Sequence, residues 1–184
     1  MRPLAAPAIV ALLSLAGCSS SGAMHASALP LSSATVATSN LDDDEIASIA
    51  RRIRLDQRVL AELSRSRGDD PAVRALGRRF AEDSSVVAFD APASTPHGDS
   101  AVEDELAQRD IATELRLARF GGRYFDRAFL DSDTMLLEAD VELLNAVLAP
   151  RAKNAALRAR LLDLASVLSD ELKALRALAP SVAQ

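Results

Sequence analysis

From Leu41 to Ala179, apolar residues recur every three or four positions in five separate blocks, the spacing of amphipathic helices. Ile46, Ile49, Ile53, Leu60 and Leu63 mark one face of a first helix that ends near Arg67. Asp42, Asp43, Asp44 and Glu45 crowd its first turn, where negative charge complements exposed amides and the helix dipole. The same acidic run lacks the alternating ligands and central glycine of an EF-hand loop. Gly68-Asp69-Asp70-Pro71 closes this helix and opens the next, with Asp70 as cap and Pro71 as first helical residue. Val73, Leu76, Phe80 and Val87 form the second face. Ala91 to Gly98, with two prolines, is a loop. Ser100 and Glu103 have capping-box spacing and begin a shorter helix through Arg119, which Gly121-Gly122 ends.

Two longer seams follow. Leu130, Thr134, Leu137, Val141, Leu144 and Leu148 step by four and three alternately, up to a break at Pro150. Leu157, Leu161, Leu164, Leu168, Glu171, Leu175 and Leu178 repeat the alternation. Such seams pack at shallow crossing angles, and short links at 68–70 and 149–151 force antiparallel neighbours. The predicted class is all-α: an antiparallel four-helix bundle over residues 41–179 with an additional short helix, then a tail at 180–184. Composition agrees, since aromatics are 3% of the chain, Trp is absent, and good helix formers dominate.

The first 17 residues have a different pattern. Arg2 precedes an apolar run from Leu4 to Leu15, too short for a helix to cross a bilayer, which takes about 20 apolar residues. The run reads as a cleaved signal peptide, and Leu15-Ala16-Gly17-Cys18 resembles the lipobox of bacterial lipoproteins. That resemblance implies lipidation at Cys18, and Ser19 in place of an aspartate implies sorting to the outer membrane, facing the periplasm. Cys18 is the chain's single cysteine, so no intrachain disulfide is available. Residues 18–40, rich in Ser, Ala and Thr, read as the lipidated cysteine and a flexible tether reaching roughly 25 Å.

The formal charge of −5 becomes −6 once the leader takes its one charge, Arg2, with it. An acidic domain has no footprint for nucleic acid and no polybasic patch for anionic lipid, so the membrane contact is the lipid anchor. Two carboxylates break the seams: Asp56 between Ile53 and Leu60, and Glu171 between Leu168 and Leu175. A buried carboxylate must be paired, protonated, wet or metal-bound. Each either pairs with an arginine such as Arg52 or Arg176, or contributes to a polar pocket inside the bundle. Enzyme signals are weak: there is no Gly-rich phosphate loop and no strand-turn-helix around a serine, and His25 and His97 lie outside the predicted helices. A di-iron bundle needs Glu-x-x-His, which does not occur. No metal or other cofactor is expected.

Pro71-Ala72-Val73-Arg74-Ala75-Leu76-Gly77-Arg78-Arg79-Phe80, followed by Asp83, resembles the second-helix motif of a bacterial family of uncharacterised secreted proteins. Its members are often labelled outer-membrane proteins with a ferritin-like bundle. Gly122-Arg123-Tyr124-Phe125-Asp126, continuing to Phe129 and Leu130, looks like the family's Gly-x-x-Phe-Asp signature. The resemblance covers about residues 41 to 179 and implies a ferritin-like fold and an envelope location, with no established activity. The family's three helix histidines fall at Ser84, Leu137 and Glu171, so an imidazole ligand set is absent here. From the residues themselves, Phe125 and Phe129 read as core packing, and Asp126 as a cap or dipole partner of its own helix.

The expected function is a non-enzymatic envelope lipoprotein whose domain binds another envelope protein or organises the envelope. The alternative is a carrier of a small ligand or cation, using Asp56 and Glu171 in one internal cavity.

Overall fold

The computed structural model describes residues 41–86 and 101–182, and the chain there is an all-α bundle. Helix α1 spans Asp43–Arg67, α2 Pro71–Val86, α3 Ala101–Ala118, α4 Arg123–Glu142 and α5 Ala155–Val182. The hairpins α1–α2 and α4–α5 supply the four antiparallel helices of the bundle, and α3 is the additional one, at 18 residues no shorter than the 16 described for α2. It lies against α1 and α4 and carries the chain back to the end of the bundle where α1 finishes; there Arg67 Nη2 donates to the Phe120 carbonyl at 2.7 Å. Ser100 and the 91–98 loop lie outside the described residues.

The caps are largely those the sequence predicts. Asp42 Oδ1 accepts from the Glu45 amide at 2.9 Å, and Asp70 Oδ1 from the Ala72 amide at 2.7 Å. Asn154 Oδ1 accepts from Ala156 and Leu157 at 2.9 and 3.2 Å and starts α5. Gly122, with φ of +57°, occupies the left-handed region that a side chain would strain, and turns the chain into α4.

Pro150 does not break the chain, contrary to the seam analysis. Beyond Glu142 the helix widens into a π-helical stretch, Leu143–Leu148, then closes with one α-turn, Ala149–Arg151. Pro150 can neither donate nor tolerate a close carbonyl one turn back. The wide turn before it supplies the extra room, so the link is 152–154 and not 149–151. At the other end α5 continues through Pro180 to Val182, past residue 179 where the pattern put its end.

The predicted apolar faces form the core. Ile46, Ile49, Ile53, Leu60, Val73, Leu76, Phe80, Leu130, Leu137, Leu144, Leu148, Leu161, Leu164, Leu168 and Leu175 are all buried. Phe125 and Phe129 stack beneath the loops, with ring centroids 6.2 Å apart, and the Arg67 guanidinium covers Phe125 at 4.8 Å. α1 and α2 approach closely at Gly77, where an added Cβ would lie 2.6 Å from the Ala61 carbonyl oxygen. No helix among the described residues is long and apolar enough to cross a membrane.

Candidate functional site

The core contains a band of charge. Arg54 and Gln57 of α1, Arg109 and Asp110 of α3, Asp133 and Asp140 of α4, and Glu171 of α5 are all buried. Asp56 joins them at the edge, its side chain 12% exposed. Residues 54 and 57 share one side of α1, and 52 and 56 share another, so α1 carries two polar edges.

The first edge points into the bundle. Asp140 accepts from Arg109 Nη1 at 2.8 Å and from Gln57 Nε2 at 3.2 Å, tying α1, α3 and α4 together. Arg54 Nη1 meets Glu171 Oε1 at 3.4 Å, joining α1 to α5. Asp133 Oδ1 is buried without a hydrogen-bond partner among the described residues. The second edge faces α3. Arg52 donates to Asp56 at 2.8 Å and to Asp110 at 3.2 Å, clamping the two carboxyls side by side. Arg109 bridges the edges, with its Nε 3.6 Å from Asp110 Oδ1.

Glu171 is therefore paired as expected of a buried carboxylate, but with Arg54. Arg176, named from sequence as a partner, instead binds Glu138 at the surface. Asp56 does take Arg52. The two seam carboxylates do not meet in one cavity. Asp56 lines a small cleft with Asp110, Thr113, Glu114, Leu60 and Leu136; Glu171 is not part of it. The cleft holds about 10 Å³, room for one water-sized particle.

Burial controls the proton affinity of these groups. Asp56 is pushed up to about 8, first by burial and then by the neighbouring Asp110, against the pull of Arg52. Burial raises Glu171 to about 7, with Arg54 opposing. Asp133 is held well above the carboxylate range by burial, with Glu171 and Asp140 adding to it. Asp140 is raised by burial, which outweighs the help of Arg109 and Gln57. Burial also disfavours the charge on Arg109, yet Asp140, Asp110 and Asp56 more than offset it and its pKa rises. Five carboxyls, Asp56, Asp110, Asp133, Asp140 and Glu171, thus face three guanidiniums, Arg52, Arg54 and Arg109. Burial favours the protonated form of Asp56, Asp133, Asp140 and Glu171.

Asp126 has a role that its sequence position concealed. It does not cap its own helix. Its two oxygens accept from the Asp69 and Asp70 amides at 2.9 and 2.7 Å, so it binds the α1–α2 turn at the N-terminus of α2. Asp43 repeats the device at the opposite end of the bundle, accepting from the Lys153 and Asn154 amides at 2.8 and 2.9 Å. Sequence reasoning also missed Asp133 and Asp140, although Asp126, Asp133 and Asp140 follow at intervals of seven, which places them on one stripe of α4.

Most of these interior groups pair across helices, although Asp133 Oδ1 and the Arg54 Nε and Nη2 atoms have no hydrogen-bond partner among the described residues, and the visible work of the pairs is to join helices. Outside the band, Leu55 and Val59 of α1 and Ile111 and Leu115 of α3 are exposed.

A family described as Domain of unknown function (DUF4142) matches residues 28–178 of the chain. No curated protein and no solved structure matches it.

Proposed function

The chain belongs to the DUF4142 family, and from that premise we propose that it is a non-enzymatic envelope lipoprotein, anchored through Cys18, whose bundle binds another protein. The observation that carries the binding half is the contrast between interior and surface. The buried carboxyls and guanidiniums are engaged with one another or shut away from solvent, whereas four large aliphatic side chains stand in water on α1 and α3. Exposed apolar groups gathered on neighbouring helices are a feature of protein-binding faces. The anchoring half is supported by Leu15-Ala16-Gly17-Cys18 after an apolar run, and by the 22 residues from Ser19 to Asn40 that separate the cysteine from Leu41. Acyl chains contribute about 0.8 kcal/mol per buried methylene, so two or more on one cysteine give a lasting anchor. Outer-membrane placement, facing the periplasm, follows from Ser19 by the same lipoprotein resemblance.

Metabolic labelling with radioactive palmitate, followed by membrane fractionation, tests the anchor. Label and membrane association are expected in the natural chain, and both should disappear in Cys18→Ala. Persistence of both in that variant would refute it. Photo-crosslinkers placed in turn over the surface of α1, α3 and α5 in intact cells test the binding; absence of any protein adduct at every position would refute that half.

The Asp56–Asp110 cleft, at about 10 Å³, is too small for an organic ligand, and no group of three or more carboxylates that could hold a metal ion occurs among the described residues.

A further inference from the structure

The Gly121-Gly122 turn leads from α3 into α4, and residues 119–124 around it are all exposed. Two aromatic rings stand in water there, Phe120 at 37% and Tyr124 at 63% exposure. Arg67 of α1 donates to the Phe120 carbonyl at 2.7 Å, and the Arg123 guanidinium of α4 lies 5.3 Å from the Tyr124 ring. Arg74 of α2 donates to the Gly68 and Asp69 carbonyls at 2.7 and 2.6 Å. An added Cβ at Gly122 would lie 3.9 Å from Asp69 Oδ2, so the α1–α2 turn adjoins the same patch.

The charge balance at this end is positive, in a chain of net charge −5. Arg67, Arg74, Arg119, Arg123 and Arg127 form no ion pair among the described residues. Of the carboxylates here, buried Asp126 gives both oxygens to the Asp69 and Asp70 amides, and Asp70 caps α2 through the Ala72 amide. Asp69 is exposed beside the turn, and Asp131 is exposed further along α4, near Arg127. In the turns just behind, Arg65 pairs with Glu62, and Glu114 offsets Arg116 in charge. Around the rings themselves, Arg67, Arg119 and Arg123 therefore outnumber the one exposed carboxylate, Asp69, and the surface attracts anions.

We propose that this arginine and aromatic end of the bundle docks an acidic segment of a partner protein, its carboxylates on Arg119 and Arg123 and its apolar side chains against Phe120 and Tyr124. The inference rests on the protein-binding reading and names a docking surface and partner class for it. Guanidiniums bind carboxylates through paired hydrogen bonds, and Arg clusters are a recurring mode of acidic-motif recognition. Tyr, Phe and Arg are also the residues enriched in protein interfaces. The 25 residues of α1 set the patch about 37 Å from the end of the bundle where residue 41 enters, which favours a protein over the lipid of an anchoring membrane. The chain's own acidic turn is a poor occupant, because Asp42 and Asp43 are already bound to amides.

The probe is a short synthetic peptide of glutamate and leucine, with a counterpart carrying lysine in place of glutamate. Each is titrated calorimetrically into the chain without its leader and lipid. The glutamate peptide is expected to bind, about tenfold more weakly to Phe120→Ser/Tyr124→Ser and several-fold more weakly to Arg119→Gln/Arg123→Gln. Binding to Arg160→Gln, an exposed arginine near the start of α5, should be unchanged. Affinity should fall as salt rises. All of these variants alter exposed positions, and circular dichroism confirms that they fold. No binding of the glutamate peptide, equal binding of the lysine peptide, or equal weakening by Arg160→Gln would overturn the proposal. Self-association that Arg119→Gln/Arg123→Gln abolishes would replace the partner by a second copy and overturn it too.

Photo-crosslinkers at Phe120, Tyr124, Leu55 and Ile111 in cells separate this failure from that of the broader reading. Protein adducts at Phe120 and Tyr124 are expected. Adducts at Leu55 or Ile111 alone would remove this docking surface and leave protein binding standing. No adducts at any position would remove both, and lipid adducts at Tyr124 would replace the acidic segment with a membrane surface and so overturn the proposal.

Discussion

Replacing Asp126 by Asn should cost this bundle about 3 kcal/mol, roughly three times the cost of the same change at Asp43. Both carboxylates hold two consecutive backbone amides at the start of a neighbouring helix, with nearly equal distances: 2.9 and 2.7 Å for Asp126, 2.8 and 2.9 Å for Asp43. They differ in burial, since Asp126 is 1% exposed and Asp43 lies at the rim. Asparagine keeps one acceptor but turns an NH2 group toward the other amide, setting two donors face to face. Losing one charge-assisted bond costs about 1.5–3 kcal/mol where water cannot replace it. The lost negative charge at the α2 N-terminus adds about 0.3–1 kcal/mol. At the rim water substitutes for the missing acceptor, and the cost falls to about 1 kcal/mol. Urea unfolding of the chain beginning at Ser19, followed by far-ultraviolet circular dichroism, measures both. With a slope near 1.5 kcal/mol/M the Asp126 midpoint should drop by about 2 M and the Asp43 midpoint by less than about 1 M. Equal costs at the two sites would show that burial does not set the strength of these grips.

The same unfolding assay checks three further expectations. Glu171→Leu should destabilise by about 3–5 kcal/mol because it strands the buried Arg54 guanidinium, and adding Arg54→Met should recover most of that loss; additive losses would refute the pairing. Gly77→Ala should cost about 1–3 kcal/mol, since its Cβ would press on the Ala61 carbonyl and the Arg65 amide; an unchanged midpoint would mean that α1 and α2 separate freely. The raised carboxyls bind protons more tightly in the folded chain than in the unfolded one. Their contribution is therefore greatest below the unfolded carboxylate range near pH 4 and is lost as pH rises through about 7 for Glu171 and about 8 for Asp56. Stability should accordingly be higher at pH 5.5 than at pH 8.5 at fixed ionic strength, and Asp56→Asn should flatten the difference; a slope of the opposite sign would refute the assignment.

The aliphatic seams were legible in the sequence because a helix face is written as a local period, and Leu161, Leu164, Leu168 and Leu175 are buried as that period requires. Glu171 stood out for the same reason, as a carboxylate inside an otherwise leucine series. Arg54, Arg109, Asp110 and Asp140 did not, because a charge on a helix ordinarily faces water, and their pairing depends on which helices become neighbours. The partner of Glu171 was misassigned on that ground: Arg176 lies one turn and a residue away in sequence, but on an exposed face, while Arg54 arrives from α1. Asp126 does lie in the first turn of its own helix, as the sequence placed it, but its hold on the Asp69 and Asp70 amides was hidden because that turn comes from a distant part of the chain. The passage through Pro150 was hidden too, since a π-helical stretch is a backbone adjustment with no residue signature of its own.

If the chain is held to a membrane through Cys18, any pull on the domain enters at the first turn of α1. That turn is where Asp43 holds the Lys153 and Asn154 amides, so the load passes at once to the α4–α5 hairpin as well as along α1. The N-terminus of the hairpin partner α2 is gripped at the far end, through Asp126. Tension from the anchor would thus reach α1, α4 and α5 before the first of them could peel away. A carboxylate at the rim, of modest worth to equilibrium stability, becomes the fastening that decides how much of the bundle bears mechanical force.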